Sequence, residues 1–197
     1  MNKISHLFII LSLPFFLFIL YGYTEIYTRT DIYKYNVIRA VIKEIDPWIK
    51  INIPKFKNIT PPPLKIKFVD LDTLKQIYMK DVDEETLKKP ETIEYLKELK
   101  IYAVYVDNVV YFINTMKITN ITYYEKAMVL HEYIHHYQTV YNKLYNVPKC
   151  ISRDEAEAYR FHSDYLSKYN YILARSFLID SYYYNESSIY YCGVSIQ

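Results

Sequence analysis

The stretch Val129-Leu130-His131-Glu132-Tyr133-Ile134-His135-His136 constrains this chain more than any other, because three of its five histidines fall within six residues. Ala127, Leu130, Ile134, Tyr137 and Tyr141 recur at steps of three and four and make a single apolar stripe. Met128, His131, His135 and Gln138 run beside it, so the two histidines four apart border a buried face, one turn above the other. Imidazoles stacked in that way can grip one Zn²⁺ at roughly 2.0–2.1 Å each. Glu132, turned about 100° from His131, can meet a water on such a metal without being a ligand. This is the H-E-x-x-H pattern, in which zinc acidifies a water and the glutamate takes its proton. A lone histidine on such a face reads as a hydrogen-bonded core residue. A pair four apart with an intervening glutamate reads as a metal site.

A catalytic zinc needs a third protein ligand and an open fourth position. Downstream, Ser152-Arg-Asp154-Glu155-Ala-Glu157-Ala-Tyr159-Arg-Phe-His162 opens a second long helical stretch, with Ser152 as its expected N-cap. Glu155 and Glu157 compete for the ligand role. Glu155, Tyr159, His162, Leu166, Tyr169 and Leu173 share one largely apolar face, whereas the face through Glu157, Phe161, Asp164 and Lys168 is wetter. A ligand must point inward toward the histidine helix, so periodicity favours Glu155. Glu157 then reads as a solvated first-turn acid that suits a helix N-terminus.

Together these residues resemble the thermolysin-type gluzincin metallopeptidases, which carry H-E-x-x-H and a glutamate on a following helix. Glu155-Ala-Glu-Ala158-Tyr159 resembles the E-x-x-A-[D/N] signature of several small gluzincins. The run His131-Glu-Tyr-Ile-His135-His136-Tyr-Gln138, Pro148-Lys-Cys150, then Glu155-Ala-Glu-Ala-Tyr159 is similar to small, uncharacterised, exported bacterial zincin-like proteins. The likeness covers roughly residues 100–175 and rests on the combined motifs. It implies Glu132 as general base, His131, His135 and Glu155 as zinc ligands, and a peptide or protein substrate laid along an edge strand by β-augmentation. That strand would be Val104–Val106 or Val109–Phe112. Two departures stand out. Tyr159 occupies the place of the Asp or Asn that orients a zinc-bound histidine, and no later motif for steadying an oxyanion is evident. His162, two turns beyond Glu155 on the same face, is the nearest candidate for that task.

The amino terminus bears on location. Lys3 precedes Leu7–Tyr21, which is almost uninterrupted apolar sequence, as in a secretory signal or signal anchor. No small-x-small cleavage site follows, which favours an uncleaved membrane anchor with the remainder on the extracytoplasmic side. The two cysteines, Cys150 and Cys192, both lie beyond it. In an oxidising compartment they could pair, adding on the order of 4 kcal/mol in the chain-entropy model. A net charge of +2, from 24 basic and 22 acidic residues, implies no nucleic-acid partner.

Organisation follows as four segments: a signal anchor or signal peptide at 1–24, a membrane-proximal helix and Pro-rich connector at 25–63, a zincin-like domain at 64–180 and a Tyr-rich tail at 181–197. Tyr33–Ile49 reads as an amphipathic helix stopping near Asp46-Pro47. Leu64–Val69 alternates like a half-buried strand, and Asp72–Tyr78 and Glu91–Leu99 read as helices around an acidic, mobile Asp81–Glu85. Ile101–Val106 and Val109–Ile113 flank Asp107-Asn108, a pair suited to a type I′ hairpin turn. The expected fold is α+β: a small antiparallel sheet against the His131–His135 helix, completed by the Glu155 helix. The expected function is a membrane-anchored, extracytoplasmic zinc metallopeptidase. The alternatives are an inert zincin-shaped binding or structural protein and a zinc-free helical surface protein.

Overall fold

The computed structural model describes residues 30–80, 82, 84–99, 101–116 and 121–192, with backbone only at 181 and 183–192. The chain divides into two compact units, Met1–Arg39 and Ala40–Gln197. In the first, residues 30–39 are helical. The expected anchor at 1–24 lies outside the described residues, and no described helix is long and apolar enough to cross a membrane. Of the expected acidic segment, 81 and 83 are not described, and α3, Glu84–Leu87, takes up its end.

The second unit opens with a helix over residues 40–52, α1, and a 3₁₀ turn at Pro54–Phe56. The expected stop at Asp46-Pro47 does not occur. An interior proline forfeits a hydrogen bond and costs about 3 kcal/mol, but Val41, Ile45 and Ile49 on the same helix are buried, each contributing roughly 1.5–3 kcal/mol. Asp46 adds a polar tie, accepting hydrogen bonds from Tyr133 (3.0 Å) and Tyr137 (2.6 Å) while pairing with Lys50 at 2.8 Å. Burial would raise its pKa, yet the hydrogen bonds from Lys50, Tyr137 and Tyr133 outweigh that and leave it below the ordinary carboxylate value.

Three strands, β1 (Lys65–Val69), β2 (Ala103–Val106) and β3 (Val109–Ile113), form one sheet in the order β1-β3-β2. The sheet is mixed rather than antiparallel, because β1 pairs with β3 in parallel, Lys65 opposite Val109 and Val69 opposite Ile113. Parallel neighbours need a crossover. Here α2 (Leu71–Tyr78), α3, α4 (Pro90–Glu98) and β2 supply it. Asp70 caps α2 by accepting from the Thr73 amide at 2.8 Å. The β2–β3 hairpin turns as expected, with Asp107 and Asn108 both at positive φ (52° and 63°). Val110 and Phe112 on the central strand are buried while their neighbours are half-buried.

Helix α5, Tyr123–Leu144, starts at a reciprocal capping box between Thr122 and Glu125. Its stripe of Ala127, Leu130, Ile134 and Tyr137 is fully buried, and Phe56 packs on Tyr137 with ring centroids 5.2 Å apart. It ends where Asn146 enters the left-handed region (φ 51°) and the Val147 amide reaches back to the Asn142 carbonyl at 2.9 Å. A short link then starts α6, Ile151–Ser167. Its N-cap is Cys150 rather than Ser152, which lies in the first turn and makes no cap. Helix α7, Tyr171–Cys192, follows and takes in the described part of the segment expected to be a tail. Cys150 is buried and is not a free thiol; the side chain of Cys192 is outside the described ones.

Candidate metal centre

Helix period and the turn at Asn146 together decide the site. Residues 131 and 135 stand on one face of α5, and the antiparallel return of α6 brings residue 155 opposite them. Nε2 of His131 and Nε2 of His135 are 3.2 Å apart. Glu155 spreads its carboxylate across both, Oε1 at 3.2 Å from His135 and Oε2 at 3.3 Å from His131. These are the described His, Cys, Asp or Glu side chains that gather closely enough to hold a metal ion. A tetrahedral ion with bonds of about 2.0–2.1 Å needs donors about 3.3–3.4 Å apart. The 3.2 Å between the two imidazole nitrogens fits that requirement, and with one donor atom taken from each of the three residues all lie within 4.8 Å of one another.

Electrostatics agree with the geometry. Burial disfavours charge on His135, but the carboxylates of Glu155 and Glu132 outweigh it and push the imidazole up to about 9. Burial would likewise raise Glu155, yet the two histidines beside it hold its carboxyl well below the ordinary range. A cation placed among these groups would take over the role that protons play on the imidazoles. Glu132 is only 9 % exposed. Burial pushes its carboxyl up, partly offset by His131, His135 and the Tyr105 backbone on β2. The third histidine of the cluster has another task. The Nε2–H of His136 donates to the Pro62 carbonyl at 2.8 Å, and its Nδ1 lies 3.1 Å from the Tyr105 hydroxyl. Burial lowers its pKa, so it ties α5 to the connector and to β2 as a neutral ring.

Periodicity therefore chose the right glutamate to face the histidines, for an incomplete reason. Glu157 is not solvated: it is 7 % exposed, and Phe161 on the same face is equally buried. The 3₁₀ turn covers that face, and Lys55 meets the Glu157 carboxylate at 2.6 Å. Asp164 and Lys168 are exposed, as expected. His162 is 2 % exposed, its ring stacked on Phe177 at 3.9 Å and 5.9 Å from that of His131. Neither of its nitrogens has a hydrogen-bond partner among the described residues, and burial lowers its pKa well below the usual histidine value.

Three neighbours emerge only in the folded chain. Tyr159 packs its ring 4.5 Å from that of His131, and Tyr105 from β2 stacks at 6.4 Å on His135. Gln138 accepts from Nδ1 of His135 at 2.8 Å. Its place on the face of the two histidines is a readable signal in the sequence, as is the place of Tyr159 four residues after Glu155; Tyr105 carries none. Of the two strands considered for substrate, β3 is central and paired on both sides, which leaves β2 as the free edge beside α5. No family model matches this chain, and no characterised protein or solved structure is detectably similar to it.

Proposed function

We propose that this protein is a zinc metallopeptidase of gluzincin type, anchored by its amino-terminal apolar run with the rest of the chain, including a Cys150–Cys192 disulfide, outside the membrane. The observation that carries the reading is the triangle of His131, His135 and Glu155 with Glu132 buried beside it. Two imidazoles and one carboxylate form a donor set that suits Zn²⁺, and three protein ligands leave a position open for chemistry. Zinc held there supplies Lewis acidity, which lowers the pKa of water toward neutrality.

The chain's own groups supply the remainder. Glu132 accepts the proton from that water on its carboxylate and returns it to the departing amine. Its dry setting raises its proton affinity, which suits a group that must both take and give. Strand β2 offers an unpaired edge, along which an extended peptide can lie with its scissile bond toward α5. His162 is covered by Phe177 and contributes no exposed donor to an oxyanion. That burial is the specific observation favouring the second reading, a zincin-shaped binding protein that holds metal without turnover.

One substitution separates the two. Glu132→Gln should keep the fold and one equivalent of zinc, since Glu132 is not a ligand. Peptide hydrolysis should fall by roughly 10²–10⁴-fold, the usual cost of losing a positioned general base. The assay is a broad peptide-library digest by zinc-loaded protein. No cleavage by the wild type, or equal cleavage by Glu132→Gln, would replace the enzyme with the binding protein.

A further inference from the structure

Behind His135 runs a chain of polar groups taken from three parts of the sequence, and the sense of its hydrogen bonds follows from groups that only donate or only accept, Lys55 at one end and the Asp154 carbonyl beside Gln138. Lys55 carries only donors, so the Glu157 carboxylate, 2.6 Å from Nζ, accepts. A carboxylate has no proton to give, so the Gln138 atom 2.9 Å from Oε2 must be the amide nitrogen, which also donates to the Asp154 carbonyl at 2.8 Å. Gln138 therefore turns Oε1 toward His135, and an amide oxygen can only accept. The proton between them belongs to Nδ1 of His135, 2.8 Å away. In the neutral ring that leaves the lone pair on Nε2, the atom facing His131 and Glu155.

We infer that Lys55, Glu157 and Gln138 are positioning residues of the metal centre, an ammonium-anchored relay that fixes the tautomer and ring orientation of His135. The inference rests on the metal reading of the site. It explains why two glutamates stand in the first turns of α6: Glu155 faces the metal, and Glu157 sets the polarity of the group behind it. It also places Lys55, well upstream of the expected domain start at 64, inside the functional unit. A segment that reads as a connector supplies the charge from which the relay takes its sense.

The test uses the full chain with selectively ¹⁵N-labelled histidine. Two readouts are taken: the slowly exchanging Nδ1–H resonance of His135, recorded without metal above pH 9, where the ring is neutral, and zinc affinity by chelator competition. In Gln138→Met the acceptor facing Nδ1 of His135 is lost. The resonance should disappear into exchange and zinc affinity should fall on the order of 10–100-fold. In Glu157→Met the Gln138 amide nitrogen keeps only the Asp154 carbonyl, and both readouts should move the same way by less. Should Gln138→Met fail to fold, Gln138→Leu carries the same expectation. Readouts unchanged in folded Gln138→Met, or unchanged in folded Glu157→Met, would overturn the relay. A wild type that binds no zinc while the resonance follows the expected pattern would remove the metallopeptidase reading and leave the relay standing.

Discussion

The two histidines of the site are held in opposite ways. His135 has its outer nitrogen tied through Gln138 to Glu157 and Lys55, a run of charged and amide groups with every contact under 3 Å. His131 has no hydrogen-bond partner for Nδ1 among the described residues, and its ring is bounded by Tyr159, with His162 behind it. One ligand is braced by polarity, the other by aromatic packing. The contrast shows that a ring can be oriented by shape where hydrogen bonds are missing, at the cost of a buried ring nitrogen with no partner among the described residues. In this chain Tyr159 supplies that packing.

The comparison breaks most completely at the group that spans both rings. Glu155→Gln should abolish stoichiometric zinc, since the carboxylate touches His131 and His135 alike. Elemental analysis after dialysis would show it, with a loss larger than the 10–100-fold typical of an outer partner. Retention of a full equivalent would mean that Glu155 is not a ligand.

A smaller effect, of opposite sign, sharpens the aromatic side. His162→Phe replaces two buried nitrogens without partners by apolar edge against Phe177. Relief of unsatisfied polar burial is worth about 1–3 kcal/mol, and each kcal/mol raises the melting midpoint of a chain this size by about 2–4 °C. Zinc affinity should stay unchanged. A fall in affinity would show that His131 is braced through His162 after all, and a fall in hydrolysis alone would return His162 to the oxyanion.

Much of the site could be read before folding because it is local. The 3.6-residue period of α5, the i,i+4 histidines and the inward face of α6 are each contained in one helix, where spacing dictates direction. The Asp107-Asn108 turn was readable because few residue pairs tolerate two positive φ values. What escaped depends on contacts between distant segments. Lys55 and Glu157 are 102 residues apart, and no periodicity links them, so Glu157 read as a solvated acid. The parallel pairing of β1 with β3 depends on where α2–α4 direct the chain, which strand alternation does not encode. Pro47 was taken for a terminator because its local penalty is visible, whereas the burial that offsets it is not.

Away from the ligands, the least effect is expected at Asp46, on the Tyr133–Tyr137 side of α5. Its carboxyl lies below the ordinary aspartate value. The stability it supplies is present above the unfolded value and is lost as pH falls through the lower, folded one. Urea unfolding between pH 6 and 2 should show wild type leading Asp46→Asn by about 1 kcal/mol at the upper end, with the gap closing toward the acid end. A gap that widens on acidification would reverse the sign of this contribution.

The left-handed Asn146 has a consequence in time as well as in space. By reversing the chain between α5 and α6, it confines His131, His135 and Glu155 to one helical hairpin. Closing a short loop takes tens of nanoseconds and little entropy, whereas the contact between Lys55 and Glu157 waits for a far longer stretch of chain to be ordered. Each doubling of that length adds about 0.6 kcal/mol to closure. Gathering His131, His135 and Glu155 therefore takes only a local closure, whereas the Lys55–Glu157 contact takes a long-range one. Synthesis order runs the other way, since Lys55 leaves the ribosome long before its partner exists.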